Sequence, residues 1–143
     1  VDNRSDRLKV FVYGTLKPGE LNYQRYCASK VIEVTRAIAR GQLFSLPAGY
    51  PAMTLGNSWV QGFVLTLSDP KVLRELDNYE GYQEGRSHSI SARESPDSNL
   101  YERRVIETFN LNRQPLGSAW AYLMSPDKIH RLGGTLLSHG QWN

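Results

Sequence analysis

The chain has 143 residues, 40% of them hydrophobic and 22% charged, with a formal net charge of +3. That is ordinary globular composition for one domain with its own core. A single cysteine excludes an intramolecular disulfide framework, and no apolar run approaches the ~18 residues of a membrane span. The basic residues are scattered, the densest patch being Arg103-Arg104 beside Glu102 and Glu107, so neither a nucleic-acid nor a membrane partner is expected. The lone Cys27 suits a reducing compartment, and no secretory signal pattern opens the sequence. A cytoplasmic protein is expected.

Residues 1–7, VDNRSDR, are polar and are expected to form a disordered tail, leaving 8–143 as a single domain. Leu8 to Tyr13 reads as a short buried strand, with Val10 and Val12 on one face and Phe11 and Tyr13 on the other. It breaks into Gly14-Thr-Leu-Lys-Pro-Gly19, which has the G-x-x-x-x-G skeleton of a phosphate loop. Such a loop needs Lys and then Ser or Thr after its last glycine. Glu20 and Leu21 stand there instead, and a carboxylate beside a phosphate would repel it. The loop serves another ligand.

Asn22 suits the cap of a short helix running to about Lys30. Val31 to Leu46 alternates irregularly around Gly41, as an extended and bent strand would. Pro47 to Pro51 reads as a turn, and Trp59 to Leu67 as a strand interrupted at Gly62. A strong helix signal follows over Asp69 to Glu80, with Ser68 or Asp69 as cap, Pro70 at the first position and Gly81 as the stop. Tyr82 to Asn99 is polar and Ser-rich, and reads as a long exposed loop. Leu100 to Phe109 and Ser118 to Met124 read as strands joined by a turn around Asn110–Gly117. From Pro126 the tail reads as a wrap. Strands outnumber helices and several carry glycines where a sheet can bend, so the expected class is α+β, a curled sheet or small barrel with helices outside.

The Asp69–Glu80 helix holds the most informative residue. At about 100° per residue, Val72, Leu73, Leu76 and Tyr79 fall on one apolar arc, while Lys71, Arg74 and Asn78 point away from it. Glu80 falls inside that arc. Desolvation there disfavours its charged form, and the negative end of the helix dipole adds to the effect. Both push its pKa up, which suits a general acid or base. The bland alternative is a helix that frays at Tyr79 and lets Glu80 reach water.

Other chemistries find little support. His88, His130 and His139 are far apart in sequence and make no metal-binding pair. Cys27 has no surrounding motif and reads as an inert thiol. A retaining glycosidase needs a second carboxylate about 5 Å from the first, and neither Glu75 nor Glu84 is well placed to supply it.

Four motifs occur in order: Val-Tyr-Gly-Thr-Leu at 12–16, Leu76-Asp-Asn-Tyr-Glu-Gly81, Tyr101-Glu-Arg103 and Ala121-Tyr-Leu-Met124. Together they resemble the gamma-glutamylcyclotransferase-like family, including its members that act on gamma-glutamyl amines. The resemblance implies a small mixed β-barrel of five to seven strands flanked by short helices. It implies a small-molecule gamma-glutamyl substrate, release of 5-oxoproline, and no metal or cofactor. By the same resemblance Glu80 is the catalytic acid–base, and Tyr13, Gly14, Thr15 and Leu16 form the loop that holds the gamma-glutamyl moiety. Tyr101 and Tyr122 match pocket tyrosines.

The stretch from Tyr82 to Asn99 is longer than the family pattern suggests, which leaves Tyr82 as an alternative to Tyr101 and makes a lid conceivable. Arg103 is either a carboxylate ligand or part of an internal ion pair. A monomer or a homodimer is expected. The rival reading is a non-catalytic binding or regulatory module that keeps the same pocket.

Overall fold

The computed structural model describes residues 8–14, 17, 31–68, 71–80 and 101–142, with 78–80 in backbone alone. The expected tail at 1–7, the helix at 22–30 with Cys27, and the loop at 82–99 with His88 lie outside them. So do Thr15 and Leu16, and the side chains of Asn78, Tyr79 and Glu80.

Alternating β-formers make Leu8–Val12 the first strand, β1. Its two faces are buried separately, Val10 and Val12 in one cluster and Phe11 in another. The next two strands, β2 (Val31–Ser45) and β3 (Pro51–Leu67), form a long antiparallel hairpin. A turn joins them as expected. Leu46 donates to the Tyr50 carbonyl and accepts from the Gly49 N–H, and Gly49 sits at a φ of 99°. Proline opens β3, the position in a strand where its missing donor costs least.

The expected strand at Trp59–Leu67 is thus eight residues too short at its start. Gly56-Asn57-Ser58 has turn-like composition, yet it lies inside the strand as a wide bulge. Gln42 pairs with Thr54 and Arg40 with Trp59, so residues 55–58 stand opposite Gly41 alone. A Cβ at Gly41 would lie 2.6 Å from the Thr54 carbonyl oxygen, which is why glycine is required at this crossing. Arg40 fastens the bulge, stacking 4.1 Å from the Trp59 ring centre and donating to the Asn57 carbonyl.

Two further strands, β4 (Glu102–Phe109) and β5 (Pro115–Leu123), pair antiparallel around the expected turn. There the Asn110 side-chain oxygen accepts from the Asn112 and Gln114 N–H groups, and Arg113 adopts a left-handed φ of 65°. Sheet order is β3-β1-β5-β4-β2, and β2 pairs back to β3, so the strands close as a ring. β1 and β5 run parallel and the other pairs antiparallel. The ring is thin at two joints: β1 and β5 meet in register at Val10 and Trp120, and β2 and β4 at Ile38 and Phe109. The expected mixed, curled sheet of an α+β fold is therefore present, as a ring rather than a regular barrel.

A cluster drawn from all five strands of the ring fills its inside. It includes Phe11, Ala37, Met53, Val64 and Ala121, with Ile106 of β4 packed against them. A second cluster lies on the other face of β1 and β5 and receives the first helix, α1 (Lys71–Glu80). Val72, Leu73 and Leu76 are buried there, while Lys71, Arg74 and Glu75 are exposed. The described part of the apolar arc read from the sequence, Val72, Leu73 and Leu76, is the face that packs. Each of these side chains contributes about 1.5–3 kcal/mol by leaving water.

The expected wrap after Pro126 carries a short helix, α2 (Pro126–Arg131), and a two-residue strand, β6 (Thr135–Leu136), paired with Phe44 and Ser45 of β2. Ser125 caps α2 by accepting from the Lys128 N–H, and Ile129 is buried beneath it. No helix among the described residues is long and apolar enough to cross a membrane.

Leu76 anchors α1 from a fully buried position. Leu76→Ala should destabilise the protein by about 2–5 kcal/mol in chemical denaturation. Leu111→Ala, in the exposed β4–β5 turn, should change stability by less than about 0.5 kcal/mol.

Candidate functional site

β1 delivers Tyr13 and Gly14 to the point where the chain turns away from the sheet. The Lys17 N–H donates to the Gly14 carbonyl at 3.0 Å, closing a four-residue turn. A Cβ at Gly14 would stand 2.6 Å from Pro51 Cγ. Glycine is therefore required here by the proline packed against it, a reason separate from any approach of a ligand to the main chain. Lys17 holds the far side of the turn, donating to the Trp142 carbonyl at 2.5 Å, with its ammonium 5.8 Å from the centre of the Trp142 ring.

Pro51 has a second neighbour. The Tyr101 hydroxyl, buried, donates to the Pro51 carbonyl at 2.7 Å. One residue of β3 thus braces both the turn after β1 and the tyrosine ahead of β4. A phenol has a single proton, so in this arrangement Tyr101 meets any other group as an acceptor.

Tyr13 and Tyr122 point to opposite faces. The Tyr13 ring belongs to the cluster inside the ring, and the Tyr122 ring to the cluster beneath α1. They are joined all the same, because the Tyr13 hydroxyl donates to the main-chain oxygen of Tyr122. The Tyr122 hydroxyl in turn donates to Asp77 Oδ1 at 2.7 Å.

Asp77 sits on α1 one turn before Glu80, the last residue of that helix. Its other oxygen, Oδ2, lies 3.4 Å from Arg103 Nη1. Arg103 and Tyr122 are register partners on β4 and β5, so adjacent strands present a cation and a hydroxyl to the two oxygens of one carboxylate. The Arg103 guanidinium also stacks 4.5 Å from the centre of the Trp120 ring. Of the two roles open to Arg103 from the sequence, the internal ion pair is the one observed. The pair is largely shielded, with side-chain exposures of 10% for Arg103 and 14% for Asp77. Removing one partner there costs more than the intact pair contributes, since it strands a charge.

The structure brings Gly14 and Tyr101 together through Pro51, and Tyr13 and Tyr122 through one hydrogen bond. It sets the backbone of Glu80 at the end of α1. Sequence reading passed over Asp77, although it lies inside the Leu76–Gly81 motif. Its signal was the Tyr-x-Arg pair, which supplied a cation without naming its anion. Pro51 carried no signal, because a proline at the edge of a turn is unremarkable in a sequence.

A family model described as "Gamma-glutamyl cyclotransferase, AIG2-like" matches residues 10–143. The chain belongs to that family. Among curated relatives of this cyclotransferase-family chain, a Vibrio cholerae protein named "Putative gamma-glutamylcyclotransferase" is 32% identical over 133 residues, covering 93% of each chain. A Niallia circulans protein named "Gamma-L-glutamyl-butirosin B gamma-glutamyl cyclotransferase" is 29% identical over 120 residues, covering 82% of this chain and 67% of that one. The crystal structure of an AIG2-like protein from Mus musculus has the same fold, with a TM-score of 0.61 at 19% identity over 96% of this chain and 88% of that one. Membership supports a cyclotransferase-class enzyme with a small gamma-glutamyl substrate.

The abutment of Gly14 on Pro51 yields a direct test. Gly14→Ala should destabilise the protein by about 1–3 kcal/mol, because a proline ring cannot move aside as a flexible side chain does. Adding Pro51→Ala should make the two losses less than additive in a double-mutant cycle read by thermal or urea unfolding.

Proposed function

We propose that this protein releases 5-oxoproline from a gamma-glutamyl compound, with Glu80 as the general acid–base. The match of the family model over residues 10–143 carries the proposal. The substrate brings its own nucleophile, an α-amine that attacks the γ-carbonyl carbon and closes a five-membered ring. The C–N bond to the leaving amine breaks as the new C–N bond is completed. Because the reaction is intramolecular, the protein's task is to hold one conformation and to move protons.

The α-amine arrives as an ammonium ion and cannot attack until it loses a proton. Glu80 takes that proton and returns it to the departing amine. The second proton, which the ring nitrogen sheds on bonding to the γ-carbon, leaves with the amine as its ammonium form, so one carboxylate serves both steps. Its location at the last residue of α1 supports a raised pKa, because the helix dipole there opposes a second negative charge. The turn after β1, residues 13–16, holds the gamma-glutamyl part of the substrate, with main-chain N–H groups facing its α-carboxylate. Tyr101 and Tyr122 line the same pocket, one braced on Pro51 and the other on Asp77. No cofactor enters this scheme, and the reaction takes place in the cytoplasm.

The leaving group is an amino acid, a peptide or an amine. The Niallia circulans relative is named for gamma-L-glutamyl-butirosin B, which supports adding that compound to the substrates tried. Wild type should release 5-oxoproline, detected by mass spectrometry, from at least one of a panel of gamma-glutamyl amino acids, glutathione and gamma-glutamyl amines. Glu80→Gln should lower that release by about 10²–10⁴-fold. Equal release by both proteins would remove Glu80 from the mechanism. Binding of a panel member by folded wild type without any release would favour the non-catalytic module instead.

A further inference from the structure

We propose that residues 137–142 act as a strap that holds the turn after β1 in its binding form, with Gly140 and Trp142 as positioning residues for the gamma-glutamyl part of the substrate. The inference rests on that turn, residues 13–16, being the place where the substrate is held. It is carried by two separate holds of the strap, one on the edge of β3 and one on Lys17.

β1 pairs with β3 as far as Val12 and Phe63. Two more residues of the same pairing would set Gly14 opposite Gln61 and carry the chain straight on. The Gln61 N–H donates instead to the Gly140 carbonyl at 2.7 Å. Residue 140 thus holds the donor that a longer β1 would use, and the chain turns away at Gly14. The position is shaped for glycine. Gly140 has a φ of 66°, and a Cβ there would run into the Trp59 carbonyl oxygen. The rest of the segment is fastened around this point. The Leu137 N–H donates to the Leu43 carbonyl at 2.8 Å, and the Gly140 N–H donates back to the Leu137 carbonyl at 3.0 Å. Leu137 and Trp142 pack against the cluster inside the ring.

Trp142 supplies the second hold. Lys17 Nζ donates to the Trp142 carbonyl at 2.5 Å and lies 5.8 Å from the centre of its ring. The Lys17 N–H closes the turn on the Gly14 carbonyl. One residue therefore closes the turn by its main chain and joins it to the strap by its side chain. Gly140 bars the straight path, and Trp142 draws the far limb of the turn to one side. Both holds are intramolecular, and a turn fixed by its own chain costs less to order when a ligand binds.

The kinetic signature follows from the populations. A ligand that binds only the ordered turn has its apparent affinity reduced by the fraction of molecules in which the turn is ordered. Loosening the strap should therefore raise KM and leave kcat nearly unchanged, since the proton transfers are not touched.

The experiment compares wild type with Gly140→Ala and Trp142→Ala, neither of which alters a residue of the turn. Amide hydrogen exchange is followed at Lys17, which reports the turn, and at Gln61, which reports the strap. KM and kcat for 5-oxoproline release are measured with the best panel substrate, and thermal unfolding is run alongside. Expected are faster exchange at Lys17 in both variants, faster exchange at Gln61 in Gly140→Ala, and KM raised about tenfold with kcat within about threefold. Leu116→Ala removes apolar area beside the same inner cluster from β5. It should lower stability while leaving KM and the exchange at Lys17 unchanged. If Gly140→Ala fails to fold, Trp142→Leu keeps apolar bulk without the ring beside Lys17 and should give the same signs. Exchange at Lys17 as slow as in wild type in the folded strap variants, or an equal rise in KM in Leu116→Ala, would overturn the strap. Faster exchange at Lys17 with an unchanged KM would show that the turn does not hold the substrate, and the inference would fall with that reading. Because exchange is read without substrate, failure of the proposed reaction shows itself separately, as no 5-oxoproline release from wild type.

Discussion

Both edges of β3 are occupied, and the remaining geometry follows from that. The strand pairs with β1 from Phe63 to Leu67 and with β2 along nearly its whole length. A flat strand of 17 residues cannot serve two partners that must curl towards each other. The wide bulge opposite Gly41 resolves the conflict by changing the direction of the hairpin partway along. Beyond the bulge, Pro51 to Thr54 run as a separate arm, and this arm places Pro51 against Gly14 and within reach of the Tyr101 hydroxyl. The support of the turn after β1 is thus a consequence of how the hairpin bends.

Closing the ring also sorts side chains into two environments. Ala37, Ala39, Ala119 and Ala121 face inwards beside Phe11, Tyr13, Met53 and Leu123, the small residues making room for the large ones in a narrow ring. A second set of apolar residues, among them Val10, Val12, Leu65, Leu67 and Tyr122, faces outwards and needs a cover. α1 supplies it. Glu80 ends a helix whose first task is to shield Val10, Leu65 and Leu67 from water. The chemistry proposed above is therefore mounted on an element that the fold requires in any case.

Much of this was legible in the sequence, and the misses have physical causes. Period-2 alternation revealed β1, an irregular alternation around Gly41 revealed β2, and the 3.6-residue arc gave the buried positions Val72, Leu73 and Leu76 of α1. The strand expected from Trp59 starts at Pro51 instead, because Gly56-Asn57-Ser58 has turn composition while its backbone stays extended within a bulge. Local propensity has no access to a partner strand that supplies the pairing. The same limit applied to Asp77. Its partners stand 26 and 45 positions away in the chain, and only the β4–β5 register sets them side by side. Asp77, one residue off the apolar arc, looks like an ordinary helix-surface acid until the sheet is folded beneath it.

That arrangement bears on the reaction proposed above, in which a single carboxylate moves the protons. A reaction in which the substrate supplies the nucleophile needs no activated serine or thiol, and no metal-bound water. What it needs is a proton carrier held at a fixed distance from a bound amine, so accuracy of placement replaces chemical power. Carboxylates placed on loops lose that accuracy to backbone motion, whereas one on a helix inherits the stiffness of the helix. A helix still rotates and slides on an apolar sheet, because dispersion contacts are weak individually and nearly isotropic. A polar tie close to the working end removes that freedom. The Asp77–Arg103 pair and the Tyr122 hydroxyl are such a tie, joining α1 to β4 and β5.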